Sequence, residues 1–324
     1  MSAEVYLHSF LSPLDPWLAR EDVTDILVNR PGEIWIETRG GAIERIEVAA
    51  LSEAVLARLA RQIAGSAHQG INRAEPLLSA SLPDGARVQV IAPPATRGGH
   101  ALAIRKHAIA DLSLARLAAD RLFAPAENRH AAEEHALEAA LAADDHAAAL
   151  ALAVKLRKTI VVSGGTSSGK TTLVNALIKE IDAPERLILI EDTPELRLVH
   201  ENALGLIAVR GALGEARVDA EMLLQAALRM RPDRILLGEL RGAETFAFLR
   251  AVNTGHPGSI TTVHADSAAG ALDQIVMMAL LANANLEWTA VERYTRRVID
   301  LIVHLERRGG ERRVTEIMRL SEPR

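Results

Sequence analysis

The most informative stretch of this chain is Gly164-Gly165-Thr166-Ser167-Ser168-Gly169-Lys170-Thr171. It satisfies the pattern G-x-x-x-x-G-K-[ST], in which a glycine-rich loop presents backbone N–H groups to phosphate. An apolar, β-branched segment, Thr159–Ser163, comes before it, and a segment with helical spacing, Thr171–Ile181, follows it. Because a strand, a glycine-rich loop and a helix in this order form one phosphate-binding unit, we predict a nucleotide-binding α/β domain.

The chemistry of this loop predicts how it would hold ATP and Mg²⁺. Glycines let the backbone turn so that successive N–H groups face one anion, and the following helix points its positive end at the same anion. Lys170 would add a mobile charge for the β- and γ-phosphates and take part in catalysis, and the Thr171 hydroxyl would ligate Mg²⁺. The residues expected to contact the nucleotide here are Gly164, Gly165, Thr166, Ser167, Ser168, Gly169, Lys170, Thr171 and Thr172.

Apolar segments alternate with helical segments from Thr159 onward. Such alternation is typical of a three-layer α/β domain with a mainly parallel sheet. The predicted strands are Thr159–Ser163, Leu187–Glu191, Arg234–Gly238, Ser259–Val263 and Ile299–Leu305. The predicted helices are Thr171–Ile181, Ala220–Met230 and Ala243–Thr254.

Two of these strands end in glutamates, Glu191 and Glu239. Ligands of open parallel sheets bind at the carboxyl ends of the strands, so we expect both carboxylates to face the phosphates as catalytic residues and as ligands of Mg²⁺. Asp192, beside Glu191, is alternatively a helix cap or a brace for its loop. The usual strand-terminal metal aspartate is missing, and the sequence leaves open which glutamate is the base and which holds the hydrated metal.

Two histidines lie about one strand apart, His256 in Thr254-Gly255-His256-Pro257 and His264 in Thr261-Thr262-Val263-His264. An isolated histidine is more often a core or surface residue with satisfied hydrogen bonds. The glycine-rich turn and the strand between these two favour a functional interpretation for His264. We expect His264 to sense the γ-phosphate or a neighbouring subunit.

The first third of the chain reads as an α+β domain. Short β-rich segments are separated by Gly- and Pro-containing turns, and one amphipathic helix is predicted over Leu51–Ala67. An alanine-rich stretch from Ala108 to Val154 is predicted to be helical and to contain the link to the second domain. We predict an N-terminal domain over residues 1–107, a linker over 108–130 and a nucleotide-binding domain over 131–324. The predicted N-terminal strands are Thr24–Asn29, Glu33–Thr38, Ala42–Val48, Arg87–Ala92 and Ala101–Arg105.

Composition excludes several classes of protein. The 324 residues include 49% hydrophobic residues, which is enough for a large core, and no cysteine, which excludes disulfides, thiol catalysis and cysteine-ligated zinc. A net charge of −5 argues against a protein that coats nucleic acid with a basic surface. It does not exclude a basic channel confined to one part of the protein. No run of 18 apolar residues is present, and the first residues lack the basic start and apolar core of a signal peptide. The chain is therefore expected to be intracellular.

The ordered set of motifs resembles the secretion (traffic) ATPases, which power type II and type IV secretion, conjugation and pilus assembly. After the phosphate loop come Ile-Glu-Asp-x-x-Glu-Leu, a strand ending in Gly-Glu-Leu-Arg, and Thr-Gly-His followed by Thr-x-His-Ala. These correspond to the aspartate box, the Walker B motif and the histidine box of that family. The resemblance implies a RecA-like P-loop ATPase domain.

The N-terminal third is similar to the type IV secretion and conjugation branch of the family. The similarity lies in Val23-Thr-Asp-Ile-Leu-Val-Asn29, Leu82-Pro-Asp-Gly85-Ala-Arg87 and Ala103-Ile-Arg105-Lys106. It implies that Arg87 and Arg105 contact nucleotide phosphate, with Arg105 also catalytic. Arg241, after the Walker B glutamate, is expected to contact nucleotide or to brace Glu239, and Arg210 is a weaker candidate.

The family resemblance implies a homohexamer that hydrolyses ATP with Mg²⁺ to move macromolecules or assemble a pilus. Its implied place is the cytoplasmic side of the inner membrane, with inner-membrane secretion components as partners and peripheral membrane association left open. Type II members commonly carry a four-cysteine zinc element, which this chain lacks. DNA, protein and pilin all remain open as cargo.

Three alternatives share part of the same evidence. One is a type II secretion or type IV pilus assembly ATPase. Another is a RecA-like nucleic-acid translocase, against which the acidic balance and the 3% aromatic content count. The last is a nucleotide-binding switch or scaffold with little hydrolysis, against which the two strand-end glutamates count.

Overall fold

The computed structural model describes residues 3–106, 113–119, 123, 130–209, 214–282 and 285–320. Within these ranges the chain forms two β-sheets with helices packed against them. The strands are β1 (Val23–Val28), β2 (Glu33–Thr38), β3 (Ile43–Glu47), β4 (Leu77–Ser81), β5 (Arg87–Ile91), β6 (Ala101–Arg105), β7 (Ile160–Gly164), β8 (Leu187–Glu191), β9 (Ala203–Ile207), β10 (Arg234–Leu237), β11 (Ile260–Val263), β12 (Leu301–Arg308) and β13 (Glu311–Arg319).

The helices vary more in length than the strands. A single 3₁₀ turn, Ser12–Leu14, joins the first two. The α-helices are α1 (Ala3–Leu11), α2 (Asp15–Leu18), α3 (Glu53–Ser66), α4 (Leu114–Ala119), α5 (Ala131–Ala142), α6 (His146–Lys155), α7 (Lys170–Lys179), α8 (Ala220–Ala227), α9 (Glu244–Asn253), α10 (Ala268–Ala282) and α11 (Trp288–Val298). Among the described residues, none of these helices combines the length and the apolar character needed to cross a bilayer.

The first sheet is antiparallel, with the strand order β3-β2-β1-β6-β5-β4. Helix α3 begins after Ser52, whose side chain accepts a hydrogen bond from the Val55 amide at 3.4 Å. Its residues Leu56, Leu59 and Ile63 recur at helical spacing and are buried against this sheet. The sheet and α3 therefore share one apolar core.

The second sheet has the order β13-β12-β7-β11-β10-β8-β9. All of its neighbouring strands run parallel, except that β13 is antiparallel to β12. Strands β7, β8, β10 and β11 are buried at every residue, as expected when helices cover both faces of a parallel sheet. Their carboxyl ends lie along one edge, which is where a bound ligand would lie.

The predicted fold class is confirmed: an N-terminal α+β part is followed by a three-layer α/β part with a mainly parallel sheet. Most of the predicted strands appear within two residues of their predicted bounds, and three have the predicted bounds unchanged: Glu33–Thr38, Ala101–Arg105 and Leu187–Glu191. The sequence does not predict strands β4, β9 and β13 or helices α1, α2, α10 and α11. The predicted linker lies mostly outside the described residues, so the division at 107 and 131 stays a prediction.

The loop between β5 and β6 joins the two sheets. The amide of Arg97 donates to the Gly205 carbonyl of β9 at 2.9 Å, and the amide of Ile207 donates to the Ala95 carbonyl at 2.9 Å. The edge strand β9 is thereby paired with a segment of the N-terminal part. The loop is held there by backbone hydrogen bonds as well as by side chains.

Candidate nucleotide-binding site

The phosphate loop has positive φ angles at Ser167 and at two glycines. Gly164 has φ +150°, and a Cβ atom placed there would lie 2.5 Å from the Leu305 carbonyl oxygen. Gly169 has φ +103° and comes directly before helix α7. The loop therefore leaves β7, turns sharply and presents the positive end of α7 to the space above the sheet.

That space is a cavity of about 430 Å³ at the carboxyl edge of the parallel sheet. The phosphate loop forms one wall, and the segments that follow β8, β10 and β11 form the others. Side chains and backbone that line it are Thr166, Ser167, Ser168, Gly169, Lys170, Thr171, Thr172, Ile190, Glu191, Asp192, Thr193, Glu195, Leu196, Ala220, Leu237, Gly238, Glu239, Arg241, Thr262, His264 and Arg312.

Lys170 lies folded over its own loop. Its Nζ donates to the carbonyl oxygens of Gly164 at 2.7 Å and Gly165 at 3.0 Å. Burial lowers the pKa of Lys170, and the nearby Glu239 carboxylate opposes that shift only partly. The ammonium is thus held by weak neutral acceptors, which an incoming phosphate can replace.

Glu239 and His264 form a chain of polar contacts with Lys170. His264 Nε2 lies 3.0 Å from Glu239 Oε1, and Lys170 Nζ lies 3.4 Å from His264 Nδ1. A neutral imidazole with its proton on Nε2 would donate to Glu239 and accept from Lys170. His264 therefore bridges Lys170 of the phosphate loop and Glu239, which follows β10.

Arg241 holds the other side of Glu239. The two side chains form an ion pair, and this hydrogen bond is the main reason why the pKa of Arg241 is raised. Arg241 also lies 3.4 Å from an Asp192 carboxylate oxygen. Both oxygens of Glu239 consequently face cationic or N–H groups, and Arg241 joins the ends of β8 and β10.

Glu191 has a different environment. It is buried, and its Oε1 accepts hydrogen bonds from the amides of Glu195 at 2.9 Å and Leu196 at 2.8 Å. Its Oε2 forms an ion pair with Arg97, which also donates to the Leu196 carbonyl at 2.7 Å. The Glu191 carboxylate therefore fixes the loop after β8 and links it to the N-terminal part.

Glu195 lines the cavity and was not selected from the sequence. The Thr171 hydroxyl donates to Glu195 Oε2 at 3.0 Å. The Asn175 side chain of α7 donates to the Glu195 carbonyl at 3.3 Å and accepts from the Arg197 amide at 2.7 Å. The available sequence signal was a second glutamate, four residues after Glu191 in the same loop.

Some predicted residues lie elsewhere. Arg87 and Arg105 are cross-strand neighbours on β5 and β6, and neither lines the cavity. Arg105 is exposed and lies 3.2 Å from a carboxylate oxygen of Asp25. His256 lies at the amino end of β11, where its Nδ1 is 3.0 Å from the Pro232 carbonyl and burial lowers its pKa. Arg210 lies outside the described residues.

Arg312 of β13 also lines the cavity and was not selected from the sequence. Its Cδ lies 3.1 Å from the position that a Cβ atom on Gly169 would occupy. The run Arg-Arg-Gly-Gly-Glu-Arg-Arg contains two glycines suited to a hairpin turn, but nothing in it indicates that the hairpin lies beside the phosphate loop.

Comparison with known proteins gives one consistent result. The model of the family described as type II/IV secretion system protein matches residues 10–312. The type IV secretion system protein VirB11 of Bartonella henselae is 39% identical, over 95% of this chain and 91% of that protein. The type IV secretion system protein PtlH of Bordetella pertussis is 43% identical, over 95% and 93% respectively.

A solved structure is similar over nearly the whole chain. It is the VirB11 ATPase from the Brucella suis type IV secretion system in complex with sulphate. The TM-score is 0.90 and the sequence identity 36%, and the match covers 98% of this chain and 95% of the other. Both sheets and the loop that joins them fall within the matched length.

Proposed function

This chain belongs to the type II/IV secretion system protein family, and from that premise we propose that it is an ATPase that powers a type IV secretion system. The observation that carries the proposal is the phosphate loop, which opens onto a cavity containing Lys170 and the strand-end acids. The type IV relatives support it because they match 95% of the chain at 39% and 43% identity. Sulphate is a tetrahedral anion like phosphate, so the Brucella suis complex also supports it.

We further propose that Mg²⁺ accompanies the nucleotide. The described residues contain no cluster of three or more acidic or histidine side chains arranged as a metal site. P-loop enzymes do not need one, because the phosphates supply part of the coordination. Thr171 and Glu239 would hold the ion, since both line the cavity and offer the hard oxygen donors that Mg²⁺ prefers. When bound, Mg²⁺ would neutralise charge on the phosphate oxygens.

Glu195 is our candidate for the residue that orients the attacking water. Both oxygens of Glu191 and both oxygens of Glu239 are engaged with N–H or cationic groups. Among the described residues, Glu195 Oε1 has no such partner, while Oε2 accepts from Thr171. A general base needs a lone pair that faces water, and Glu195 offers one at the cavity wall. In this proposal Glu191 positions the loop that carries Glu195.

Lys170 and His264 would act on the phosphate side of the reaction. The ammonium would leave the carbonyls of Gly164 and Gly165 for the β- and γ-phosphates, where negative charge develops. His264 would follow that movement, because it contacts both Lys170 and Glu239. Binding of the γ-phosphate would thus change the position of His264 and, through it, that of Glu239 at the end of β10.

Arg87 and Arg105 need a second arrangement of the molecule to reach a nucleotide. We propose that they approach the phosphates when the N-terminal part closes on the cavity, within one chain or between copies in a homo-oligomeric ring. A ring of six copies at the cytoplasmic side of the inner membrane is the assembly that the family resemblance implies. Negative-stain images with and without ATP test the ring, and particles without six-fold symmetry would contradict it.

The function itself is tested by Lys170→Ala. Loss of the ammonium removes the charge that holds the β- and γ-phosphates, so steady-state ATPase activity is expected to fall by at least about a hundredfold. Lys179→Ala, at the exposed end of the same helix, is the matched control and keeps wild-type turnover. Wild-type ATPase activity in Lys170→Ala would refute the assignment.

A further inference from the structure

The hairpin of β12 and β13 reaches beyond the strand beside it. In the parallel register, Leu305 of β12 pairs with Gly164, the last residue of β7. Strand β12 continues to Arg308, so the hairpin projects past the edge at which the phosphate loop begins. Gly309 and Gly310, with φ +60° and +90°, form the two-residue turn at its tip. The tip therefore stands beside the phosphate loop.

Arg312 is the residue of this tip that enters the cavity. The aliphatic part of its side chain lies over Gly169, with Cδ 3.1 Å and Nε 3.8 Å from the position of a Cβ atom there. A side chain at position 169 would take up the space that Arg312 now occupies. The guanidinium is thus carried to the start of α7, where the backbone N–H groups of the loop converge.

The charges of the hairpin tip are incompletely neutralised. Arg308 and Arg313 form ion pairs with the neighbouring Glu306 and Glu311, at 2.6 and 2.5 Å. Arg307 and Arg312 instead face each other directly across the two strands. Like charges in that position destabilise a hairpin. Within the part of the chain that the structure describes, neither arginine has a carboxylate partner, so an anionic ligand would relieve the repulsion.

The other cations of the cavity are already engaged. Arg241 is paired with Glu239 and lies near Asp192, and Lys170 is held by two carbonyls and His264. A nucleotide phosphate tail brings several negative charges into a cavity whose walls already carry four carboxylates. Among the described cavity residues, Arg312 is the cation that can neutralise phosphate charge without first breaking an ion pair or hydrogen bond.

We propose that Arg312 is a nucleotide-binding residue that donates hydrogen bonds to a phosphate oxygen of the bound adenine nucleotide. The proposal rests on the proposed ATPase function and adds the last hairpin of the sheet to its site. Arginine suits this role because its planar guanidinium presents several N–H donors to one phosphate. The hairpin contributes no acid–base chemistry in this proposal, only binding.

The test measures binding by isothermal titration calorimetry with two probes, ADP and inorganic tripolyphosphate. Loss of one charge-assisted contact in Arg312→Ala is expected to weaken the binding of both probes by about tenfold, and Arg312→Lys to recover part of that loss. Arg313→Ala, the adjacent position with its own ion pair to Glu311, is the matched control and stays near wild type. Circular dichroism is expected to show that all three variants melt like the wild type.

The outcomes separate this proposal from the function on which it rests. Wild-type protein that binds neither probe would refute both. Wild-type protein that binds ADP, with Arg312→Ala unchanged, would refute the Arg312 contact alone and leave the ATPase assignment intact. A loss of ADP affinity with unchanged tripolyphosphate affinity would mean that Arg312 contacts the base or ribose, and it would overturn the phosphate contact proposed here.

Discussion

Three carboxylates around one cavity differ in what they can do because their hydrogen-bond partners differ. Glu191 is buried between two backbone amides and Arg97, so its charge is used inside the protein. Glu239 lies between Arg241 and His264 and shares their charge. Among the described residues, the Glu195 carboxylate accepts a hydrogen bond only from the Thr171 hydroxyl. The three glutamates thus have different roles: Glu191 fixes the loop, Glu239 pairs with cationic groups, and Glu195 is the candidate base.

This division of roles predicts the behaviour of Glu195→Gln. The amide keeps the shape and the contact with Thr171 but cannot take a proton, so kcat is expected to fall by about a hundredfold or more. Nucleotide affinity is expected to change little, since the phosphate loop is intact. Steady-state kinetics and ADP titrations measure the two effects, with Glu180→Gln at the exposed end of α7 as control. Normal turnover in Glu195→Gln would refute its role as base.

The lowered pKa of Lys170 predicts how nucleotide binding depends on pH. Burial is the main cause of the shift, and phosphate attracts the protonated amine. Affinity for ADP is therefore highest below the pKa of Lys170, where the amine is protonated. As the pH rises through that pKa, the affinity falls by up to about tenfold per pH unit. The decline begins below the range in which an ordinary lysine titrates.

Titrations of ADP between neutral and alkaline pH measure this decline. Lys170→Arg provides the comparison, because arginine stays charged throughout and its profile should be flat. Circular dichroism at each pH confirms that both proteins remain folded. A decline of equal size in both proteins would show that some other group titrates.

At the scale of elements, the loop between β5 and β6 has the largest effect on the site. It pairs with β9 through its backbone and sends Arg97 to the end of β8. The Arg97 side chain is only 15% exposed, and this burial lowers its pKa. A structural change in the N-terminal part can therefore reach Glu191, and the loop that carries Glu195, through Arg97.

A double-mutant cycle tests the Arg97–Glu191 pair. Arg97→Met leaves a buried carboxylate without its cation, so the free energy of unfolding is expected to drop by about 3–5 kcal/mol. Adding Glu191→Gln removes that uncompensated charge, and the double variant should be more stable than Arg97→Met alone. Urea denaturation measures both changes. Additive losses from the two single variants would show that the residues act independently.

The sequence predicted the elements whose burial leaves a clear pattern. Strand β8 is buried throughout and is a continuous apolar run ending in Glu191, so its bounds were predicted without error. Strand β13 is a mostly exposed edge strand with a bulge opposite His304 and Leu305, so its alternation is broken. Strand β9 is short and contains Gly205 where Arg97 crosses it. Their pairing depends on segments that are distant in the sequence.

In the candidate site, too, the residues that belong to a clear sequence pattern are the ones that the sequence predicts. Lys170, Glu239 and His264 were selected because each follows a recognisable strand, and the structure brings them together. Arg97 and Arg312 come from a loop and a hairpin without a chemical motif. Only the folded arrangement places them beside Glu191 and Gly169. The functional roles of all five residues stay predictions until they are measured.

The whole molecule holds its two sheets together with contacts of very different burial. Arg186 is fully buried and donates to Asn29 at 2.6 Å and to Asn202 at 2.5 Å, and burial lowers its pKa to about 9. A half-buried ion pair joins Glu37 of β2 to Arg231, and an exposed one joins Arg73 to Glu215. The two ion pairs connect the same parts of the chain and provide a matched comparison.

This comparison predicts unequal costs for two similar substitutions. Glu37→Gln leaves the half-buried Arg231 short of one partner and should lower the free energy of unfolding by about 1–3 kcal/mol. Glu215→Gln breaks a fully exposed pair, which water screens, so the free energy of unfolding should stay close to the wild-type value. Urea denaturation of both variants measures the difference. Equal losses would contradict the idea that burial makes the Glu37–Arg231 contact the more stabilising of the two.

The place of β7 in the middle of its sheet has a consequence for the newly made protein. Its two neighbours, β11 and β12, are translated long after it, and β12 supplies the carbonyl against which Gly164 turns. Until both have been made, β7 is an apolar strand with two unpaired edges, and unpaired edges promote aggregation. Nucleotide can therefore stabilise this site only after β11 and β12 have been made, and until then α6 and α7 are the neighbours available to cover β7.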